Sequence, residues 1–302
     1  MREEAFLRRL REELDEGGLR GSFLVRDLDS GEEIGIEPDL EFSTASLVKV
    51  PLATAVLERV RRGELDPARQ VLLTPGVDVV PGPTGISRFR HPVSIAVEDL
   101  LYLSMAVSDN AASEALFALT PPAEVAGLLK ELGLDGITIR NTLRHLRDTP
   151  EAHLAPADAH LAQRLAIEAG TEGRGHSVPQ LDVTRASAGS ARAYADLLQE
   201  LWRPRTLDAG TAERVRGLMA ANTLRQRLAP DFASDAARWS SKTGTLLNLR
   251  HEIGVVEHDG GGAYAVAALT ESRVAAIVQP EAEALMGAVA RRLRDRLRAA
   301  RA

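Results

Sequence analysis

The sequence predicts a mixed α/β plus all-α fold: an antiparallel sheet flanked by N- and C-terminal helices, with a helical domain inserted between its strands. Two observations predict the sheet and one the insertion. Apolar residues alternate around glycine-containing turns near both ends of the chain, which is the period of strands. Between these hairpins, from Ser46 to about Trp202, apolar residues recur at helical spacing. The chain has 302 residues, of which 44% are hydrophobic and only 4% aromatic, so its core is expected to consist of Leu, Val, Ile and Ala.

Each element follows in order. Phe6, Leu7, Leu10 and Leu14 form one side of a charged N-terminal helix. Phe23, Val25 and Asp27, then Ile34 and Ile36, alternate around Ser30-Gly31 as a first hairpin. Leu52, Ala53, Val56, Leu57 and Val60 mark a buried helix after Ser46, with Thr44 and Ser46 as expected caps and Pro51 tolerated in its first turns. Val255, Val256, Tyr264, Val266 and Ala268 alternate around Asp259-Gly260-Gly261-Gly262 as a second hairpin, where the glycines need no phosphate to explain them. Leu285, Met286, Val289, Leu293 and Leu297 stripe a last helix, whose Arg291, Arg292, Arg294, Arg296, Arg298 and Arg301 read as its solvated face. The expected organisation is an α/β domain of residues 1–45 and 206–302, with an inserted all-α domain of residues 46–205 and the site at their junction.

A net charge of −6 offers no overall attraction for nucleic acid or acidic membranes. The absence of cysteine excludes thiolate catalysis, disulfides and cysteine-based metal sites. His153 and His160 would stand about 10 Å apart on one continuous helix, too far to share an ion, so no metal and no cofactor is expected. No signal peptide or membrane span is legible. The chain as written therefore reads as cytoplasmic, or as secreted if it has been trimmed.

The chemistry is signalled by lysine. Only Lys49, Lys130 and Lys242 occur among 37 basic residues. Arginine stays protonated in proteins, whereas a lysine among apolar or cationic groups can give up its proton and act as a base. Ser46-Leu47-Val48-Lys49 places a hydroxyl and an amine one turn apart at a helix start, a minimal arrangement for acyl transfer. Ser108-Asp109-Asn110 sits on a turn between two apolar helices. Asp109 or Asn110 would cap the second helix, but capping explains Ser108 poorly. In Lys242-Thr243-Gly244-Thr245, a strand enters a glycine that lets its backbone approach a ligand, and two hydroxyls beside a lysine suit a carboxylate.

Ser46-x-x-Lys49, Ser108-Asp109-Asn110 and Lys242-Thr243-Gly244, in this order, resemble the penicillin-recognising serine hydrolases, above all the class A β-lactamases, over nearly the whole chain. The segment Thr184 to Leu198 resembles the stretch that returns from that family's helical domain. The resemblance implies that Ser46 is the nucleophile and Lys49 its base. It implies that Ser108 passes a proton to the leaving nitrogen with Lys242 stabilising that path, and that the N–H groups of Ser46 and Thr245 form the oxyanion hole. Asn110 would hold the substrate's amide side chain, and Thr243, Gly244 and Thr245 would bind its carboxylate end. Arg250 and Arg273 are weaker candidates for the carboxylate and read first as surface or salt-bridge residues.

One part of the pattern is missing. The family's deacylating glutamate, in Arg-x-Glu-x-x-Leu-Asn, has no counterpart here. The stretch Arg140 to Val183 offers only Glu151, Glu168 and Glu172, of which Glu151 is the least poor substitute and Glu168 reads as a solvated helix residue. The expectation is therefore a serine hydrolase acylated on Ser46 by β-lactams or by related amides and esters, such as a D-amino-acid peptide, with slow deacylation. The alternatives are an efficient β-lactamase with a displaced base and a covalent sensor or scaffold without turnover.

Overall fold

The computed structural model describes residues 2–168 and 174–299. Its strands, in chain order, are β1 (Leu19–Asp27), β2 (Glu33–Ile36), β3 (Glu41–Ser43), β4 (Gln70–Leu73), β5 (Val93–Ala96), β6 (Ala188–Ser190), β7 (Ala237–Leu246), β8 (Leu249–His258) and β9 (Ala263–Ser272). Five of them form an antiparallel sheet in the order β2-β1-β9-β8-β7. Both expected hairpins are present, with Phe23 opposite Ile36, Val25 opposite Ile34 and Val256 opposite Tyr264. The sheet takes its strands from both ends of the sequence because β1 pairs directly with β9.

Alternation along these strands feeds two cores. Phe23, Val25, Val256, Val266 and Ala268 pack with Leu10 and Leu14 of α1 (Arg2–Glu16) and with Met286, Val289 and Leu293 of the C-terminal helix (Pro280–Ala299). Leu24, Ile253, Val255, Ala265 and Ala267 face the other core, which they share with the helical middle of the chain. That middle comprises α2 (Lys49–Arg61), α3 (Val97–Ala106), α4 (Asn110–Leu119), α5 (Pro122–Glu131), α6 (Pro150–His153), α7 (Ala159–Glu168) and α8 (Ala191–Trp202). It is followed by α9 (Ala209–Ala220), α10 (Ala229–Phe232) and the C-terminal helix, α11. From Lys49 to Glu58 every residue of α2 is buried, so this helix forms the axis of the second core.

Several sequence expectations change in the structure. The pairs β3–β6 and β4–β5 lie within or beside the stretch read as helical, and their three- and four-residue strands are too short to show alternation. Neither Thr44 nor Ser46 makes a side-chain cap: Thr44 Oγ1 donates to the carbonyl of Ala45, and α2 is entered from a 3-10 turn, Ala45–Val48. In α11, Arg291 and Arg292 reach Asp231 and Glu13, but Arg294 is buried, with its guanidinium 5.4 Å from the Phe232 ring centre. Arg301 lies outside the described residues. Among the described residues no helix is long and apolar enough to cross a membrane.

Candidate active site

Ser46 sits in the 3-10 turn Ala45–Val48, one end of which is strained. Ala45 has φ 46°, a left-handed conformation that costs a non-glycine residue of order 1 kcal/mol or more and that clusters at functional sites. The surrounding structure holds it there. Thr44 N–H donates to the carbonyl of Ser187, and the carbonyl of Thr44 accepts from Leu47 N–H. Ser46 is half-buried, and among the described residues its hydroxyl has no hydrogen-bond partner.

Lys49 follows as the first residue of α2 and is fully buried. Its Nζ donates to the carbonyl of Ser108 at 2.7 Å, to Ser108 Oγ at 3.2 Å and to Asn110 Oδ1 at 2.9 Å. Ser108, with φ 56°, is a second strained non-glycine residue and turns both its carbonyl and its hydroxyl towards Lys49. Burial holds Lys49 well below the ordinary lysine range. The charge of Lys242 adds to this effect and Asp109 opposes it.

Lys242, also fully buried, donates to Ser108 Oγ at 2.9 Å and to the carbonyl of Thr243 at 2.8 Å. Burial first, and the charge of Arg227 second, lower it to about 7 against the pull of Glu252. A hydroxyl oxygen has two lone pairs, and Ser108 Oγ offers both to lysines. Its proton is thereby left to donate to a third group.

Asp109 has the capping role read from the sequence and a larger one. Its carboxylate accepts from Ala111 and Ala112 N–H at the start of α4, and from Ile86 N–H at 2.6 Å and Ser87 Oγ at 3.2 Å. It ties the 85–88 turn to the site. Asn110 Nδ2 donates to the carbonyl of Pro81, so the Asn110 amide spans from Lys49 to the opposite rim.

β7 is an edge strand, and its two faces do different work. Lys242 and Gly244 face the serine turn. A Cβ on Gly244 would stand 3.2 Å from both Leu47 Cγ and the Thr44 carbonyl, so this glycine admits the serine turn itself. Thr243 and Thr245 face away from it; Thr243 is buried and Thr245 exposed. The two threonines therefore share one face of β7, and Lys242 takes the other. Thr245 Oγ1 instead accepts from Arg227 Nη2 at 2.6 Å, and Arg227 Nη1 is fixed by the carbonyls of Gly244 and His251.

Arg227, His251 and Glu252 were not among the sequence candidates. His251 is buried and neutral, lowered to about 3 chiefly by burial; Nε2 donates to Ser43 O while Nδ1 accepts from Thr270 N–H. Arg250 is not a surface residue: it is 2% exposed, and its guanidinium donates to the carbonyls of Leu247, Leu249, Ala276 and Ile277. Arg273 is an exposed ion-pair partner of Asp15, in keeping with the salt-bridge reading.

Beside the serine turn lies a cavity of about 40 Å³, enough for a water. Thr44, Ala45 and Val48 line one side, and Asn141, Thr142, His145 and Gln180 the other; no carboxylate is among its described lining residues. Glu114 and Arg144 pair at 2.8 Å outside it. Glu168 is an exposed partner of Arg164, as read from the sequence. Glu172 and the side chain of Glu151 lie outside the described residues. His153 and His160 do not share a helix, since α6 ends at the first and α7 begins only at Ala159. No metal-ligating cluster occurs among the described residues.

Solved structures define the class to which this fold belongs. A β-lactamase from Sphaerobacter thermophilus superimposes with a TM-score of 0.74 at 20% identity, covering 94% of this chain and 95% of that one. PBP-A superimposes with a TM-score of 0.75 at 18% identity, covering 98% and 96%. A PBP-A mutant in an acyl-enzyme complex with penicillin G also matches, with a TM-score of 0.75 at 18% identity and coverage of 98% and 97%. The fold is that of β-lactamases and penicillin-binding proteins. The Beta-lactamase enzyme family matches residues 5–297, and the chain belongs to that family. Its sequence is 62% identical over 306 residues to the β-lactamase regulatory protein BlaB of Streptomyces cacaoi, covering 98% of each chain.

Proposed function

We propose that this protein is a serine acyl-transfer enzyme that β-lactams, or related amides and esters such as D-amino-acid peptides, acylate on Ser46, and that it releases the acyl group slowly. The observation that carries this reading is the convergence of two buried lysines on Ser108 beside a serine with an unengaged hydroxyl. Once it has released one of the three protons it donates in the resting site, Lys49 takes the proton of Ser46, directly or through water, as Oγ bonds to the substrate carbonyl carbon. The N–H groups of Ser46 and Thr245 receive the oxyanion, an interaction worth about 3 kcal/mol of transition-state stabilisation. The C–N bond then breaks, and the nitrogen takes the proton of Ser108, which is replenished from the lysines. Asn110 and the Gly244–Thr245 backbone would hold the substrate, with Thr243 beneath. In this reading the site lies at the junction of residues 1–45 and 206–302 with residues 46–205.

Hydrolysis of the acyl group needs a base that activates water. The cavity beside the serine turn presents amides, hydroxyls and an imidazole, but no carboxylate among its described lining. A long-lived adduct is what a covalent sensor of β-lactams requires, and the regulatory name of the BlaB relative favours that use. The test is intact mass after incubation with a cephalosporin. The wild type is expected to gain one equivalent of adduct and Ser46→Ala none. An adduct on Ser46→Ala would remove the nucleophile assignment.

A further inference from the structure

β7 is braced on the face away from Ser108 by a buried acid that none of the three motifs contains. Glu252 of β8 lies opposite Thr243 and is fully buried. Its carboxylate accepts from Leu228 N–H at 2.8 Å, from Trp239 Nε1 at 2.9 Å and from the Ser241 hydroxyl. The Ser241 oxygen in turn accepts from Asn222 Nδ2. All three partners of Glu252 are donors, which favours the ionised carboxylate against the burial that raises its pKa above the ordinary glutamate value. Its setting is otherwise apolar, with Trp239 stacked on Phe232 at 5.0 Å.

Burying a charge there is costly unless hydrogen bonds and opposite charges compensate it. Both are present. Leu228 directly follows Arg227, so the hydrogen bond to Leu228 N–H anchors the backbone that presents the guanidinium to Gly244, His251 and Thr245. The cations flanking β7 also need compensation. The charges that act on Lys242 are Arg227, ahead of α10, and Glu252 of β8; Lys49 of α2 feels both Lys242 and Asp109 at the start of α4, and neutral His251 of β8 lies beside Arg227. Glu283 of α11 binds Arg227 from its outer side at 2.9 Å.

We propose that Glu252 is a positioning residue of the acylation site: it seats Arg227 against the Gly244–Thr245 end of β7 and supplies negative charge behind Lys242. The kinetic half of this inference rests on the acylation reading. The electrostatic half does not, and the lysine content makes it measurable. With ¹³C-labelled lysine the protein gives signals from Lys49, Lys130 and Lys242 alone, and exposed Lys130 serves as an internal control.

In the wild type, Lys242 should titrate near 7. In Glu252→Gln its midpoint should fall by about one unit, while Glu252→Asp, which keeps the charge, should stay within about 0.3 unit of wild type. Acylation of Glu252→Gln by a cephalosporin should slow about tenfold, with the alkaline limb of its pH profile moving down alongside the lysine midpoint. A folded Glu252→Gln protein with an unmoved Lys242 midpoint overturns the proposal. If that variant does not fold, the aspartate variant decides, because a one-unit fall with the charge retained overturns it equally. A wild type that is never acylated sinks the function proposed above, yet the lysine titration still decides the role of Glu252.

Discussion

The serine turn lies between two walls made of different chemistry. On one side, α2, the 107–109 turn and β7 bring Lys49 and Lys242 within hydrogen-bond distance of Ser108, and both lone pairs of Ser108 Oγ are engaged. On the other side, Asn141, Thr142, His145, Gln180 and Ser187 present amides, hydroxyls and an imidazole to a cavity of about 40 Å³. The contrast teaches that attaching an acyl group and removing it make separate demands. A fold can keep the first set of groups while the second wall is rebuilt around it.

The largest expected effect tests the first wall. Lys49→Arg keeps the charge and much of the bulk but cannot lose its proton, so acylation followed by intact mass should slow about 10³-fold. A rate within tenfold of wild type would mean that Lys49 is not the base and that the contrast between the walls is misdrawn.

A smaller effect concerns the cost of building that wall from buried lysines. Lys242 sits near 7 in the folded protein and near the ordinary lysine value of 10.5 when unfolded. Between those values the unfolded chain binds more protons, so stability rises with pH over this window and the contribution is lost as pH falls towards 7. From pH 7 to pH 9 the gain attributable to Lys242 should be about 2 kcal/mol. Urea unfolding at both pH values should show that much less pH dependence in Lys242→Met. Equal dependence in the two proteins would place the Lys242 charge elsewhere in the titration.

Much of this was legible in the sequence, and the illegible part has a physical pattern. The hairpins and the α2 and α11 stripes could be read because burial on one face imposes a period on neighbouring residues. The three motifs could be read because Ser46 and Lys49, or Lys242 and Thr243, are held together by a single local element. Arg227 and Glu252 have no such signature. Their meaning comes from a ladder register that sets Glu252 opposite Thr243 and from a hydrogen bond between residues 24 positions apart. Arginine is ordinarily exposed or salt-bridged, so the sequence points Arg250 to the surface or an ion pair, and only the four carbonyls around it explain its burial. Gly244 was assigned to ligand access, whereas its bare Cα first accommodates Leu47 and Thr44. The absence of Arg-x-Glu-x-x-Leu-Asn is legible in the sequence, and the cavity beside Ala45 has no carboxylate among its described lining residues.

The central claim is most directly tested by the lifetime of the adduct. The protein would be acylated with one equivalent of a cephalosporin, freed of excess reagent, and followed by intact mass at neutral pH. The Ser46 adduct should persist for hours, with release no faster than a few turnovers per day. Decay within seconds, regenerating the unmodified mass, would contradict it and make the protein an efficient β-lactamase whose base lies outside the cavity's described lining.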